Sequence, residues 1–375
     1  MTRVLHFLNF DSVGGVEQLF FYFLGKSSIE NMLLVKNKAV HPFFERAKLQ
    51  TIDYLKYFGP VKLPSNLRNW NAKRIIEKRR PDHLVAWNSK RPAKGVSCPQ
   101  TYYDHGLAWF EEGQSFASEL RSFDRLMACC EASKRVMQLK WGNELEVKVL
   151  PNPSLLPARN PRQLRQDKPF KIGIVGRLVS FKAQHIALHA LKELEDMPVS
   201  LSVVGSGKLL SSLKKTVKDL NIQDRVEFLG DLQDMQSFYE SIDLFLSPSL
   251  REPYALVVLE AMANALPVII SNIDGLPKAV NFAKAGFCIE PSLDLNELQK
   301  MGGSLEKMPK YVYSPKHDSL IEPQIVDPLL LAQKIRQVLS QKELYNTLSF
   351  NASSFAKEHL NFSTYVEKLE EALFV

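Results

Sequence analysis

The chain has 375 residues, 45% of them hydrophobic and 24% charged, which is a soluble globular composition without a bias toward disorder. Its formal charge of +7 is unevenly placed: residues 1–150 hold 23 basic and 15 acidic side chains (+8), and the remainder holds 25 and 26 (−1). These numbers exclude a disordered chain and a disulfide-dense scaffold, and the length suits two domains of ordinary size.

The opening MTRVLHFLNF reads as a buried first strand. It lacks a cleavable small-residue site, so no signal peptide is expected, and the apolar run from Leu19 to Leu24 is far too short to span a bilayer. A Gly-Gly turn leads to a helix from Val16 to about Leu24, then a strand in NMLLVKN. Helical periodicity runs from Asn66 to Arg80, followed by strands at HLVAW, Pro99–Tyr103 and Arg125–Cys130, a helix over Ser133–Trp141 and a strand at VKVL. Within residues 62–94 ten basic side chains face two acidic ones. Such a run is either a solvated helix face or a surface for anionic headgroups or an acidic substrate. Nucleic acid is not indicated, because no binding motif or regular aromatic interleaving accompanies it.

Residues 151–169 carry five prolines among polar filler and read as a linker between a first domain, 1–150, and a second, 170–355. Beyond it the alternation restarts with strands at FKIGIVG, VSLSVVG, RVEFLG, DLFLSPS and LPVIIS, separated by helices. Residues 296–324 read as an irregular insertion and Leu329–Leu373 as two or three helices, with 356–375 expected to cross back to the first domain. The expected fold class is therefore α/β, with two Rossmann-like parallel-sheet domains facing each other across a cleft and chemistry in the loops at the carboxyl ends of strands. Cys98, Cys129, Cys130 and Cys288 form neither a CxxC pair nor metal-ligand spacing and suit reduced core thiols of a cytoplasmic protein.

Several loops carry candidate chemistry. Gly14 and Gly15 sit at a strand-to-helix turn, where bare backbone amides come close to a phosphate or sugar oxygen; the same pair also serves any tight turn. Glu17 is placed to favour the first helical turn against the dipole. In GRLVSFK, Arg177 and Lys182 follow a strand, where two cations suit a diphosphate or are simply solvated. Gly205 and Gly207 lack the third glycine of a dinucleotide fingerprint and read as a turn lining the cleft. His105, beside Asp104 and Gly106, is either structural or placed to bond a sugar hydroxyl. Tyr102, Tyr103, Trp109 and Phe110 either stack on sugars or pack in the core. In SPSLREPYALVVLEAMANALPVI, Pro253 suits a first helical position with Glu252 at the cap. The amides of Tyr254, Ala255 and Leu256 then point at an anion, and Glu260 follows two turns along the same edge.

GRLVSFK, RVEFLGDLQDM and DLFLSPSLREPYALVVLEAMANALPVI, in this order, resemble the retaining nucleotide-sugar glycosyltransferases of family four, whose fold is GT-B and whose signature is E-x7-E. VGGVEQ is similar to that family's Gly-Gly loop, VLPNP to its inter-domain junction and the C-terminal stretch to its closing helices. The resemblance implies a hexose transferred from a UDP-sugar, with retention and without a divalent metal or other cofactor, to a hydroxyl of a glycan or glycolipid. It implies that Arg177 and Lys182 bind the donor diphosphate, that Glu252 lies near donor-sugar hydroxyls and that Glu260 holds the ribose. Gly14 and Gly15 then lie close to the phosphates or the acceptor, and His105 near the reacting end of the donor sugar. Ala255 replaces a customary glycine, and Lys278 stands where a glutamate is usual. These departures leave open a nucleotide-sugar-binding scaffold without catalysis, or a sugar-nucleotide epimerase of the same fold. The basic first domain implies weak peripheral attachment to anionic membrane.

Overall fold

The computed structural model describes residues 2–9, 14–37, 52–165 and 169–374. The chain divides into two units, 1–152 with 362–375, and 153–361. In the first unit seven parallel strands lie in the order β3-β2-β1-β6-β7-β8-β9. They are β1 (Arg3–Leu8), β2 (Glu30–Val35), β3 (Ile52–Tyr54), β6 (His83–Trp87), β7 (Gln100–Asp104), β8 (Arg125–Ala128) and β9 (Val147–Val149). A two-stranded hairpin, β4 (Tyr57–Phe58) and β5 (Val61–Lys62), lies outside that sheet. Strands covered on both faces are buried at every position, as β6 and β7 are; β6 is mostly apolar, whereas β7 also buries Gln100, Thr101 and Asp104.

The terminal helix Phe362–Phe374 completes this unit. Its Glu370 carboxylate accepts hydrogen bonds from the Ser27 hydroxyl (2.7 Å), the Ser28 amide (2.8 Å) and the Ser28 hydroxyl (2.7 Å). Tyr365 meets Tyr103 hydroxyl to hydroxyl at 3.3 Å, and Arg125 donates to the Leu373 carbonyl at 2.5 Å. The change of unit falls at 361/362 rather than 355/356, because residue 355 lies inside the unbroken helix Lys342–His359.

The second unit holds six parallel strands in the order β12-β11-β10-β13-β14-β15. These are β10 (Phe170–Val175), β11 (Val199–Val204), β12 (Val226–Gly230), β13 (Leu244–Ser247), β14 (Val268–Ser271) and β15 (Gly286–Ile289). The core on one side gathers Ile172, Ile186, Leu201 and Ile335, and on the other Phe238, Phe245, Met262 and Val280. The proline-rich stretch is not a free tether. Residues 153–165 pack on this unit, with the Arg162 guanidinium donating to the carbonyls of Tyr239 (2.9 Å), Ile242 (2.8 Å) and Asn264 (2.8 Å). Residues 296–324 are more regular than expected: they follow into a short helix, Leu295–Lys300, and contain an antiparallel hairpin, β16 (Val312–Ser314) with β17 (Ser319–Ile321).

Leu369 is fully buried in the first unit. Leu369→Ala is expected to lower unfolding free energy by about 3 kcal/mol, the usual range for a buried leucine, read as a shifted urea midpoint for the transition of the first unit.

Candidate active site

In the second unit β10 ends at Val175, and the chain turns through Gly176 (φ +153°) into an exposed Arg177 and a buried Leu178. A short 3-10 turn, Ser180–Lys182, and Ala183 in the left-handed region (φ +51°) deliver Lys182 ahead of helix Gln184–Lys192. The glycines after β11 brace this loop. A Cβ at Gly205 would lie 2.1 Å from the Gly176 carbonyl oxygen, and one at Gly207 2.5 Å from that of Leu178. Both glycines have positive φ (+125° and +154°), and between them Ser206 accepts from the Leu178 amide at 2.8 Å. GSGK is therefore explained by backbone meeting backbone, the close approach that only glycine permits.

The loop after β13 meets the same place. Leu250 donates its amide to the Phe181 carbonyl at 2.7 Å, the Arg251 guanidinium lies over the Phe181 ring, and Lys182 pairs with Glu252. Both side chains of that pair are largely withdrawn from water, 16% and 12% exposed, where loss of either partner leaves the other charge poorly solvated. Two residues that the sequence suggested separately are thus joined.

Glu252 is not a helix cap. The helix begins at Leu256 and runs to Ala263, with Ala255 (φ −69°, ψ +115°) as its extended N-cap. The Ala255 carbonyl accepts the amides of Val258 (3.2 Å) and Leu259 (3.4 Å) and so opens the helix. Of the three amides expected to head it, only that of Leu256 does; Tyr254 and Ala255 precede it. The reason is tertiary: the Glu252 amide is bound by the Asp274 carboxylate at 2.7 Å and its side chain by Lys182, which holds this stretch as a loop.

Asp274 is the residue that sequence reasoning missed as a participant. It is 2% exposed and sits in the left-handed region (φ +54°). One carboxylate oxygen accepts from the Glu252 amide, and the other accepts from the Tyr313 amide at 2.9 Å. Its own amide donates to the Tyr313 carbonyl at 2.8 Å. Tyr313 belongs to β16, so one buried carboxylate ties the hairpin of residues 312–321 to the loop that carries Glu252. Lys278 lies exposed on the following helix, Leu276–Ala283. Removing the carboxylate with Asp274→Ala leaves two buried amides without an acceptor and is expected to cost about 3 kcal/mol, at 1–3 kcal/mol per unsatisfied group. A lowered thermal midpoint of the second unit checks it.

Glu260, on helix Leu256–Ala263, is 7% exposed, and one of its oxygens accepts from the Tyr239 hydroxyl at 2.9 Å. Burial pushes its pKa from 4.5 up to about 7, against the opposing effect of the Tyr239 hydrogen bond. The folded chain then holds a proton that the unfolded chain has lost between those two values. Stability contributed by the protonated form is present below about 4.5 and declines as pH rises to about 7. Glu260→Gln is expected to flatten this decline and to gain about 3 kcal/mol above neutrality, the equivalent of the shift, measured as urea midpoints at acid and alkaline pH.

In the first unit Gly14 caps helix Gly15–Lys26 in extended backbone, and its amide donates to the Glu17 carboxylate at 2.7 Å. Glu17 thus serves its own helix start, and the Gly14 amide turns to another anion only when that carboxylate moves. Val13, before them, lies outside the described residues.

His105 follows β7. Its ring stacks on Trp87 (centroids 5.6 Å, 15°) and lies 4.3 Å from the Tyr103 ring. Its Nε2 is buried and has no hydrogen-bond partner among the described residues. Burial lowers its pKa to about 3, so the imidazole is neutral at physiological pH and offers a hydrogen bond rather than a positive charge. Asp104 does not orient this ring. Its carboxylate accepts from the Tyr102 hydroxyl (2.5 Å), the amides of Gly106 (2.9 Å) and Ala108 (3.0 Å) and the Ser133 hydroxyl, and so fixes the next turn. Asn88, unremarked in the sequence, accepts the amides of His105 (3.1 Å) and Leu107 (2.7 Å). Of the four aromatic residues proposed for stacking, Tyr102, Tyr103 and Trp109 are core and Phe110 is exposed.

The profile of the family "Glycosyl transferases group 1" matches residues 158–312. The match takes in 155 of the chain's 375 residues, less than half of it. An uncharacterized glycosyltransferase of Haemophilus influenzae is 31% identical over 47% of this chain and 50% of its own length. The lipopolysaccharide core biosynthesis glycosyltransferase LpsE of Rhizobium meliloti is 25% identical over 73% of this chain and 80% of its own. The first curated relatives are matched over half of their length or less. Among solved structures, Anabaena HepE in complex with UDP and glucose superposes with a TM-score of 0.73 at 17% identity, covering 100% of this chain and 99% of its own. That likeness is one of fold, and the two parallel-sheet units are those of GT-B proteins. The matched stretch holds the second-unit candidates Arg177, Lys182, Glu252 and Tyr254 to Glu260.

Proposed function

We propose that this chain is a retaining glycosyltransferase that moves a hexose from a UDP-sugar to a hydroxyl of a glycan or glycolipid in surface polysaccharide or lipopolysaccharide assembly. The observation that carries the reading is the Lys182–Glu252 pair at strand ends within the stretch that matches the group 1 glycosyl transferases. A donor diphosphate competes with Glu252 for the Lys182 ammonium, and the released carboxylate accepts the hydroxyls of the donor sugar. Arg177, exposed on the same loop as Lys182, adds a planar fork to the same diphosphate. These cations, rather than a divalent ion, offset the charge that grows on the departing nucleotide. Glu260 accepts ribose hydroxyls, and the departing phosphate takes the acceptor proton, so no separate nucleophile is required. Gly14, Gly15 and the neutral imidazole of His105 serve the acceptor and the reacting end of the sugar. LpsE, named for lipopolysaccharide core biosynthesis, and HepE, solved with UDP and glucose, support the acceptor and donor classes. Peripheral attachment to anionic membrane places such an acceptor within reach.

The test is release of UDP from a panel of UDP-sugars, with and without lipid-linked and polysaccharide acceptors. Lys182→Ala and Glu252→Gln are each expected to lower kcat/KM by about 100-fold or more, the scale of one lost charge-stabilising contact. Absence of turnover and of UDP binding across the whole panel overturns the proposal.

A further inference from the structure

Helix Arg68–Arg79 buries Asn71, Ala72, Ile75 and Ile76 and turns its opposite side to water. With 3.6 residues per turn, that outer side is centred on Trp70, flanked by Lys73 and Arg74. Trp70 is 50% exposed, and beside it the β4–β5 hairpin presents Phe58 (48%) and Val61 (61%). The Phe58 and Trp70 rings lie 5.8 Å apart, and the Arg74 guanidinium covers both, at 4.9 Å and 5.9 Å. Leu67, also exposed, precedes the helix. The patch is held in place from beneath: the Asn71 side-chain amide donates to the carbonyls of Tyr54 (3.2 Å), Leu55 (2.9 Å) and Tyr57 (2.9 Å), which joins helix to hairpin. Between residues 57 and 78 five basic side chains (Lys62, Arg68, Lys73, Arg74, Lys78) accompany one acidic, Glu77, so the local charge is 5 − 1 = +4.

We infer that this surface lies on an anionic lipid bilayer, with Trp70 and Phe58 among the headgroups and the cations on lipid phosphates. The cations alone suit any polyanion. The exposed Val61 and Leu67 gain only from a partner that also removes apolar surface from water. A bilayer interface supplies both: tryptophan settles at headgroup level and lysine and arginine reach the phosphates over apolar stems. A polynucleotide offers phosphates and leaves the aliphatic side chains wet. No helix of the described residues is long and apolar enough to cross a membrane, so the contact is one of lying on the surface. The inference deepens the peripheral attachment proposed above and rests on it, and its assay requires no sugar transfer, so its failure leaves the transfer reading standing.

The tryptophans make it measurable. Of the four in the chain, Trp87, Trp109 and Trp141 are 1%, 3% and 5% exposed, so a lipid-borne quencher acts on Trp70. The full chain is mixed with vesicles of phosphatidylcholine alone, or of phosphatidylcholine with brominated phosphatidylglycerol. Sedimentation with the anionic vesicles, salt-dependent and accompanied by quenching, is the expected result. Trp70→Ser is expected to abolish the quenching, and Lys62→Ala and Lys73→Ala each to weaken partitioning about fivefold. Phe282→Ser, which alters a side chain 71% exposed in the second unit, is expected to leave partitioning unchanged. Thermal melting shows that each variant remains folded, as expected for substitutions outside the core. Sedimentation indifferent to phosphatidylglycerol, binding without quenching, wild-type partitioning of the Lys62 and Lys73 variants, or binding of an RNA oligonucleotide in place of vesicles overturns the inference.

Discussion

A loop that leaves the end of a buried parallel strand carries backbone amides into a region without water, and each must find an acceptor. This chain meets the requirement with buried carboxylates. Asp104 gathers two amides and two hydroxyls in the first unit, and Asp274 gathers the amides of Glu252 and Tyr313 in the second. Neither acts on a ligand in the proposed chemistry. Each fixes the backbone from which the candidate residues project: His105 beside Asp104, and Glu252 across from Asp274.

Against that fixed backbone two candidate side chains are poorly solvated by the protein around them. Glu260 is set among apolar neighbours with one neutral hydroxyl for company, and its raised pKa reports how poorly the unliganded fold solvates it. A carboxylate that packing alone dictated would be an apolar residue. The ribose proposed above supplies hydroxyls of the kind that the fold itself gives it only once among the described residues, from Tyr239. His105 is the counterpart in the first unit, a neutral ring whose buried Nε2 is left without a protein partner.

The sequence displayed the sheets clearly, because strands buried on both faces are written as short apolar runs between helical stretches, and FKIGIV, VSLSVV and HLVAW are such runs. Lys182 and Glu252 stood out by residue type and position after strands. What the chain did not display is carried by contacts between distant residues. Glu252 and Asp274 are 22 positions apart and Asp274 and Tyr313 are 39 apart, and no local pattern records either bond. The start of the helix at Leu256 was misplaced for the same cause: Pro253 is a good first helical residue in isolation, and a tertiary bond to Glu252 outweighs it. The β16–β17 hairpin went unseen because its strands are three residues each, too short for a period of two to register.

The tie through Asp274 alters what kind of segment residues 312–321 are. Insertions in surface loops are ordinarily the parts of a protein that drift, lengthen and shorten with little consequence. This hairpin has given up that licence. Its backbone at Tyr313 and the backbone at Glu252 share one acceptor, so the two segments order or loosen together. A graft of this hairpin into a relative brings nothing unless the aspartate travels with it, and a shortened hairpin here is registered at Glu252.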